Sequence, residues 1–123
     1  MPLSIVRQDI TKMKTDAIVN AANTALQRGG GVCGAIFEAA GERKLQEACD
    51  KLSSINTGEA VITPGFGLAA KYIIHAAGPV YSRFHKAQSR KLLRSAYMES
   101  LKLAEEKGCE SIAFPLISSG IYG

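Results

Sequence analysis

Between residues 16 and 41 the chain gathers the groups that could do chemistry: asparagines at 20 and 23, three consecutive glycines (Gly29, Gly30, Gly31), Cys33 and Gly34. The apolar run Ala17 to Val19 ends in the asparagines, and an Ala-rich segment starts directly behind the glycines. Glycines let a backbone approach a ligand closely and turn its N–H groups inward, and a helix start adds unpaired donors with a partial positive charge. The chemistry that fits this spacing is the binding of an anion, such as a phosphate. A second small-residue loop, Ser118-Ser119-Gly120-Ile121-Tyr122-Gly123, follows the apolar run 111–117. Ligands of open α/β sheets sit beyond the carboxyl ends of the strands, so two such loops facing each other could hold a diphosphate.

Few groups are suited to catalysis. Cys33 falls in the first turn of the expected helix, where a thiol could serve as nucleophile, although packing is the commoner role of a cysteine among small residues. His75 is the one base candidate on an expected strand, and His85 lies in a loop. Gly29, Gly31 and Gly34 fit G-x-G-x-x-G, but Thr24 to Arg28 intervene after the strand, and a charged helical segment follows where a strand ending in an acid is needed. A dinucleotide-binding unit is therefore poorly matched. A Walker A loop is excluded, because no Gly-Lys-Ser/Thr occurs.

The surrounding elements follow from pattern. Leu3 to Arg7 is a short β-prone stretch, and Asp9 is the N-cap of a brief helical turn reaching Met13. Asp16 to Asn20 is a strand whose apolar residues do not alternate, so it belongs inside a sheet covered on both faces. Val32 to Ala40 forms a helix with Ile36, Phe37 and Ala40 on its packing side and Gly41 as its stop. A second helix, Glu42 to Leu52, packs through Leu45, Ala48, Cys49 and Leu52. Strands are expected at 59–63, 72–75 and 111–117, with a bulge or an edge at Pro115. Gln88 to Lys107 is a long helix with a stripe of Leu92, Leu93, Ala96, Tyr97, Ser100, Leu101 and Ala104. The fold class is α/β.

Length and composition bound the rest. The 123 residues suit one domain, and 46% hydrophobic with 21% charged residues suits a globular chain. No run approaches a membrane span and the first residues lack a signal-peptide layout, so a cytoplasmic protein is expected. Cys33, Cys49 and Cys109 are odd in number and without C-x-x-C spacing, which indicates neither a disulfide framework nor a metal site. The net charge of +4 favours anionic partners weakly. Arg83, Lys86, Arg90, Lys91 and Arg94 form a run without an acid, read as a solvated helix face in preference to a nucleic-acid patch.

Taken together, Asp9-Ile10-Thr11, the run Asp16 to Asn23, Gly29 to Ile36, Ala39-Ala40-Gly41, Thr57 to Ala60, Tyr72 to His75 with Gly78-Pro79, and Ser118 to Gly123 resemble the macro domain family. The resemblance implies a three-layer α/β/α domain over residues 1–123 with a mixed, mostly parallel sheet, ending short of the helix, strand and helix that usually follow. It implies ADP-ribose or an ADP-ribosylated protein as partner, and no cofactor. Asp9, helped by the Ile10 backbone, would bind the adenine amino group, and Asn23 the distal ribose. Gly29, Gly30, Gly31 and Val32, with Ser118, Ser119, Gly120, Ile121 and Tyr122, would give backbone N–H groups to the diphosphate, and the Tyr122 ring would pack on the distal ribose. Many members hydrolyse ADP-ribose from proteins or act on O-acetyl-ADP-ribose. In the hydrolase group with four glycines, an aspartate stands where this chain has Cys33. Arg28 also replaces a glycine, Gln8 another, and Phe37 a common histidine. Asn23 and Cys33 are thus the catalytic candidates, and a hydrolase and a non-catalytic ADP-ribose reader are both open readings.

Overall fold

An apolar run without alternation has to be covered on both faces, and Ala17, Ile18 and Val19 are each fully buried. In the computed structural model, which describes residues 8–79 and 86–115, they open β1 (Ala17–Ala22). On one side β1 pairs in parallel with Tyr72–Ala77, on the other with Ile112–Ala113. Ala60–Pro64 pairs antiparallel with Tyr72–Ala77. Numbered along the chain as β2 (Ala60–Pro64), β3 (Tyr72–Ala77) and β4 (Ile112–Ala113), the strands lie in the order β2-β3-β1-β4. The sheet is therefore mixed and mostly parallel, as expected. The expected strand Leu3 to Arg7, Arg83, His85, the end of the 111–117 run and the loop Ser118 to Gly123 lie outside the described residues.

The side chains of β1 and β3 alternate between two cores. Ile18, Ala22, Ile73 and Ala77 pack with Ile36, Phe37, Leu45 and Cys49 of α1 (Gly31–Ala40) and α2 (Glu42–Leu52). Ala17, Val19, Ile74 and Ala76 face the other way, against Ala96 and Ala104 of α3 (Lys86–Glu106). The result is three layers. Gly41 ends α1 and starts α2 at φ +106°, a conformation that suits glycine and lets one residue turn the chain between two helices.

Element ends and two packing positions differ from the sequence reading. Strand β1 runs on to Ala22, because its ladder with β3 continues through Ala21 and Ala22. Strand β4 covers only Ile112–Ala113 and is, with β2, an edge strand of the sheet among the described residues; Pro115, two residues on, has no N–H to extend a ladder. Leu52 and Leu101, expected on packing stripes, are both 40% exposed. Leu52 is the last residue of its helix, and Leu101 is turned about 100° from Ser100 on the line of small residues Ala96, Ser100 and Ala104 that seats α3 on the sheet.

Candidate functional site

The two asparagines of the β1 region have different jobs. Asn23, one residue past the strand, closes the next turn on itself: its Oδ1 accepts the Gln27 N–H at 3.0 Å and its Nδ2 donates to the Gln27 carbonyl at 2.8 Å. Within that turn Leu26 adopts φ +56°, rare for a branched side chain, and is held there by burial in the core. Helix α2 fastens the far end. The Gln46 amide accepts the Arg28 N–H at 3.0 Å and donates to the Leu26 carbonyl at 3.1 Å. The Arg28 guanidinium reaches Glu42 at 2.7 Å and Glu38 at 3.3 Å, so the residue that replaces a glycine of the usual loop ties that loop to both helices.

The glycines then do what their chemistry predicts. Gly31 takes φ +55°, and a Cβ on Gly34 would stand 2.6 Å from the Gly29 carbonyl oxygen, so only glycine lets the loop lie that close to α1. Gly30 is the N-cap of α1 without a side-chain cap bond, which leaves the first-turn N–H groups to a ligand or solvent. A Cβ on Gly29 would lie 3.7 Å from Asn23 Nδ2 and equally far from Cβ and Sγ of Cys33. Asn23, Gly29 and Cys33 are thus brought together at the uncapped helix end.

Cys33 is buried, with Sγ 3.6 Å from Asn20 Nδ2 and 3.7 Å from the Gln27 carbonyl oxygen. Asn20 and His75 are each only 1% exposed. His75 Nδ1 faces Asn20 Nδ2 at 3.1 Å and its Nε2 faces Thr63 Oγ1 at 2.9 Å. Burial pushes its pKa down to about 4, so it is neutral, and the base candidate of the sequence has both ring nitrogens engaged inside the protein. Burial likewise pushes the neighbouring Cys49 thiol up to about 11.

Asp9 is exposed and caps the short helical turn whose Ile10, with Met13 behind it, packs against the core that holds Ile36 and Phe37. Its Oδ1 accepts from Thr11 N at 3.0 Å and Thr11 Oγ1 at 2.7 Å, the expected cap, and these bonds hold its pKa below the usual carboxylate value. Ser118 to Tyr122 lie outside the described residues, but β1 and β4 run parallel and adjacent, so the chain leaves both at one end of the sheet. Sequence reasoning overlooked Gln27 and Gln46 as support, and singled out Asn20 without its partners. Only Asn20 left a signal, a polar side chain inside an otherwise apolar strand. Among the described residues no group of three or more His, Cys, Asp or Glu is placed to hold a metal ion.

The Macro domain family model matches residues 19–123. The chain belongs to the macro domain family. An uncharacterised protein of Fusobacterium nucleatum is 56% identical over 121 residues, covering 98% of this chain and 68% of its own length. Human MACROD2, named an ADP-ribose glycohydrolase, is 48% identical over 121 residues, 98% of this chain and 28% of its own. The solved Oceanobacillus iheyensis macrodomain with ADP superposes with a TM-score of 0.89 at 43% identity, over 94% of this macro domain chain and 64% of the other. The chain thus spans about two thirds of the length of these bacterial macro domains.

Proposed function

We propose that this macro domain binds ADP-ribose and hydrolyses the bond between the distal ribose and a modified protein side chain, or the ester of O-acetyl-ADP-ribose. The observation that carries this reading is the convergence of Asn23 and Cys33 on Gly29 at the uncapped start of α1. The diphosphate lies against the backbone N–H groups of Gly29 to Val32, with Ser118, Ser119, Gly120, Ile121 and Tyr122 as the opposite wall. Asp9 accepts the adenine N–H₂ through the carboxylate oxygen that its cap does not use, beside the Ile10 backbone. Asn23 meets the distal ribose with the amide hydrogen and lone pair that its bonds to Gln27 leave over. On a modified side chain water attacks the anomeric carbon, a new C–O bond forms as the bond to the side-chain oxygen breaks, and the proton of water passes to that oxygen or to solvent; on O-acetyl-ADP-ribose water attacks the acyl carbon, the ribose oxygen leaves with the proton, and acetate is released. Similarity to a relative named an ADP-ribose glycohydrolase supports the hydrolytic half.

The chemistry asked of this chain is mainly positioning, since Cys33 supplies no carboxylate. A second reading, a reader that binds without cleaving, draws on the same fact and on the burial of the Cys33 sulfur between Asn20 and Gln27. A single-turnover assay separates them, with the protein in excess over a mono-ADP-ribosylated protein and free ADP-ribose followed in time. The hydrolase reading expects release by wild type and by Cys33→Ala, and a loss on the order of a hundredfold in Asn23→Ala. Release abolished by Cys33→Ala points instead to a thiol nucleophile. Binding without any release makes the chain a reader.

A further inference from the structure

We propose that His75 is a positioning residue of this site, held by Thr63 in one tautomer so that it fixes Asn20 and, through Asn20, the thiol of Cys33 at the start of α1. The proposal rests on the ADP-ribose-binding reading above. Asn20 Nδ2 has two hydrogens and two acceptors, His75 Nδ1 at 3.1 Å and Cys33 Sγ at 3.6 Å. Its Oδ1 is buried with no partner among the described residues, so within them Asn20 is held through its donors. An amide donor on Nδ1 requires the ring proton on Nε2, where Thr63 Oγ1 accepts it at 2.9 Å. The Cys33 thiol in turn donates to the Gln27 carbonyl at 3.7 Å, the same oxygen to which Asn23 donates at 2.8 Å.

An unbroken chain of hydrogen bonds therefore crosses the domain from Thr63 on β2, through His75 on β3 and Asn20 on β1, to Cys33 on α1 and the turn that Asn23 closes, its donors pointing both ways from the Asn20 amide. The tautomer of His75 decides whether that amide can sit so. The opposite tautomer, or an imidazolium, would put an N–H against the Asn20 N–H, and rotating the Asn20 amide to suit it would take the donor away from Cys33. Phe37 of α1 meets the ring edge-on, centroids 6.5 Å apart, which fixes its plane. A histidine kept for volume alone needs none of these polar partners.

Two conservative variants test the idea. His75→Asn keeps an acceptor near the Nδ1 position and loses the Thr63 contact; His75→Gln keeps a group near Nε2 and loses the acceptor for Asn20. With ADP-ribose as probe, calorimetry is expected to give the Asn variant an affinity within about twofold of wild type and the Gln variant one about tenfold weaker, roughly the worth of one hydrogen bond. The backbone amide resonances of Cys33 and Gly34 should move in the Gln variant and stay in the Asn variant. Equal weakening in both, or weakening that follows their loss of stability in urea, overturns the proposal. If wild type itself does not bind ADP-ribose, the functional reading fails, and the Cys33 and Gly34 resonances alone decide the positioning role. Should the variants not fold, imidazole ¹⁵N shifts of wild type decide it: an unprotonated Nδ1 is expected, and a protonated Nδ1 overturns it.

Discussion

A histidine sealed between a threonine and an asparagine has to stay neutral for the fold to persist. Burial lowers the pKa of His75 from 6.5 to about 4, while the unfolded chain keeps the ordinary value. Between those two values the unfolded state binds more protons, so stability is fully present above pH 6.5 and declines as pH falls toward 4, by about 3 kcal/mol from this group. Urea unfolding of wild type and His75→Asn at pH 7 and pH 4 isolates that share; equal pH dependence in the two proteins would assign the loss to other groups. Asp9 invites a similar separation of roles. A serine there can still cap the turn by accepting from Thr11 N, but has no carboxylate for an adenine amino group. Asp9→Ser is expected to leave the thermal midpoint unchanged and to weaken ADP-ribose binding by about tenfold, read by calorimetry. A parallel fall in both would reduce Asp9 to a cap.

The loop and α1 meet at a place where a single methyl group matters. Gly34→Ala would set a Cβ 2.6 Å from the Gly29 carbonyl oxygen, so the loop must lift from the helix, whereas Gly30→Ala meets open space at an ordinary φ of −88°. The expectation is a loss of about 1–3 kcal/mol in stability for Gly34→Ala and less than about 0.5 kcal/mol for Gly30→Ala, measured by chemical unfolding. Comparable losses would mean that the close approach is not what holds the loop. These elements were legible beforehand because their causes are local: an apolar run without alternation for β1, the Ile36, Phe37 and Ala40 spacing for α1, and a glycine at 41 whose φ of +106° ends one helix and begins the next. The clamp on the loop was not legible. Gln46 reaches Leu26 and Arg28 across eighteen residues or more, and nothing in a glutamine on a charged helix announces such partners. The same holds for His75, whose neighbours Asn20 and Thr63 come from two other strands.

At the scale of the whole molecule, the sheet is a wall between two cores that share strands but no side chains. Among the described residues, the fully buried side chains of the site side include the bulky Leu26, Ile36, Phe37 and Leu45, whereas those of the α3 side are alanines with Val19 and Ile74, and the larger groups there, such as Ile62, Tyr72, Leu93 and Tyr97, are only half-buried. Close-packed small residues bury less apolar area per contact, so α3 is the more weakly seated layer. Its amides should open at a free energy at least about 1 kcal/mol below those of β1 and α1 in native-state hydrogen exchange, and identical opening energies would show one indivisible unit. A partition of this kind makes the domain two cooperative units with unequal lifetimes. The long helix can exchange its protons with water again and again while the glycine loop behind the wall keeps its shape.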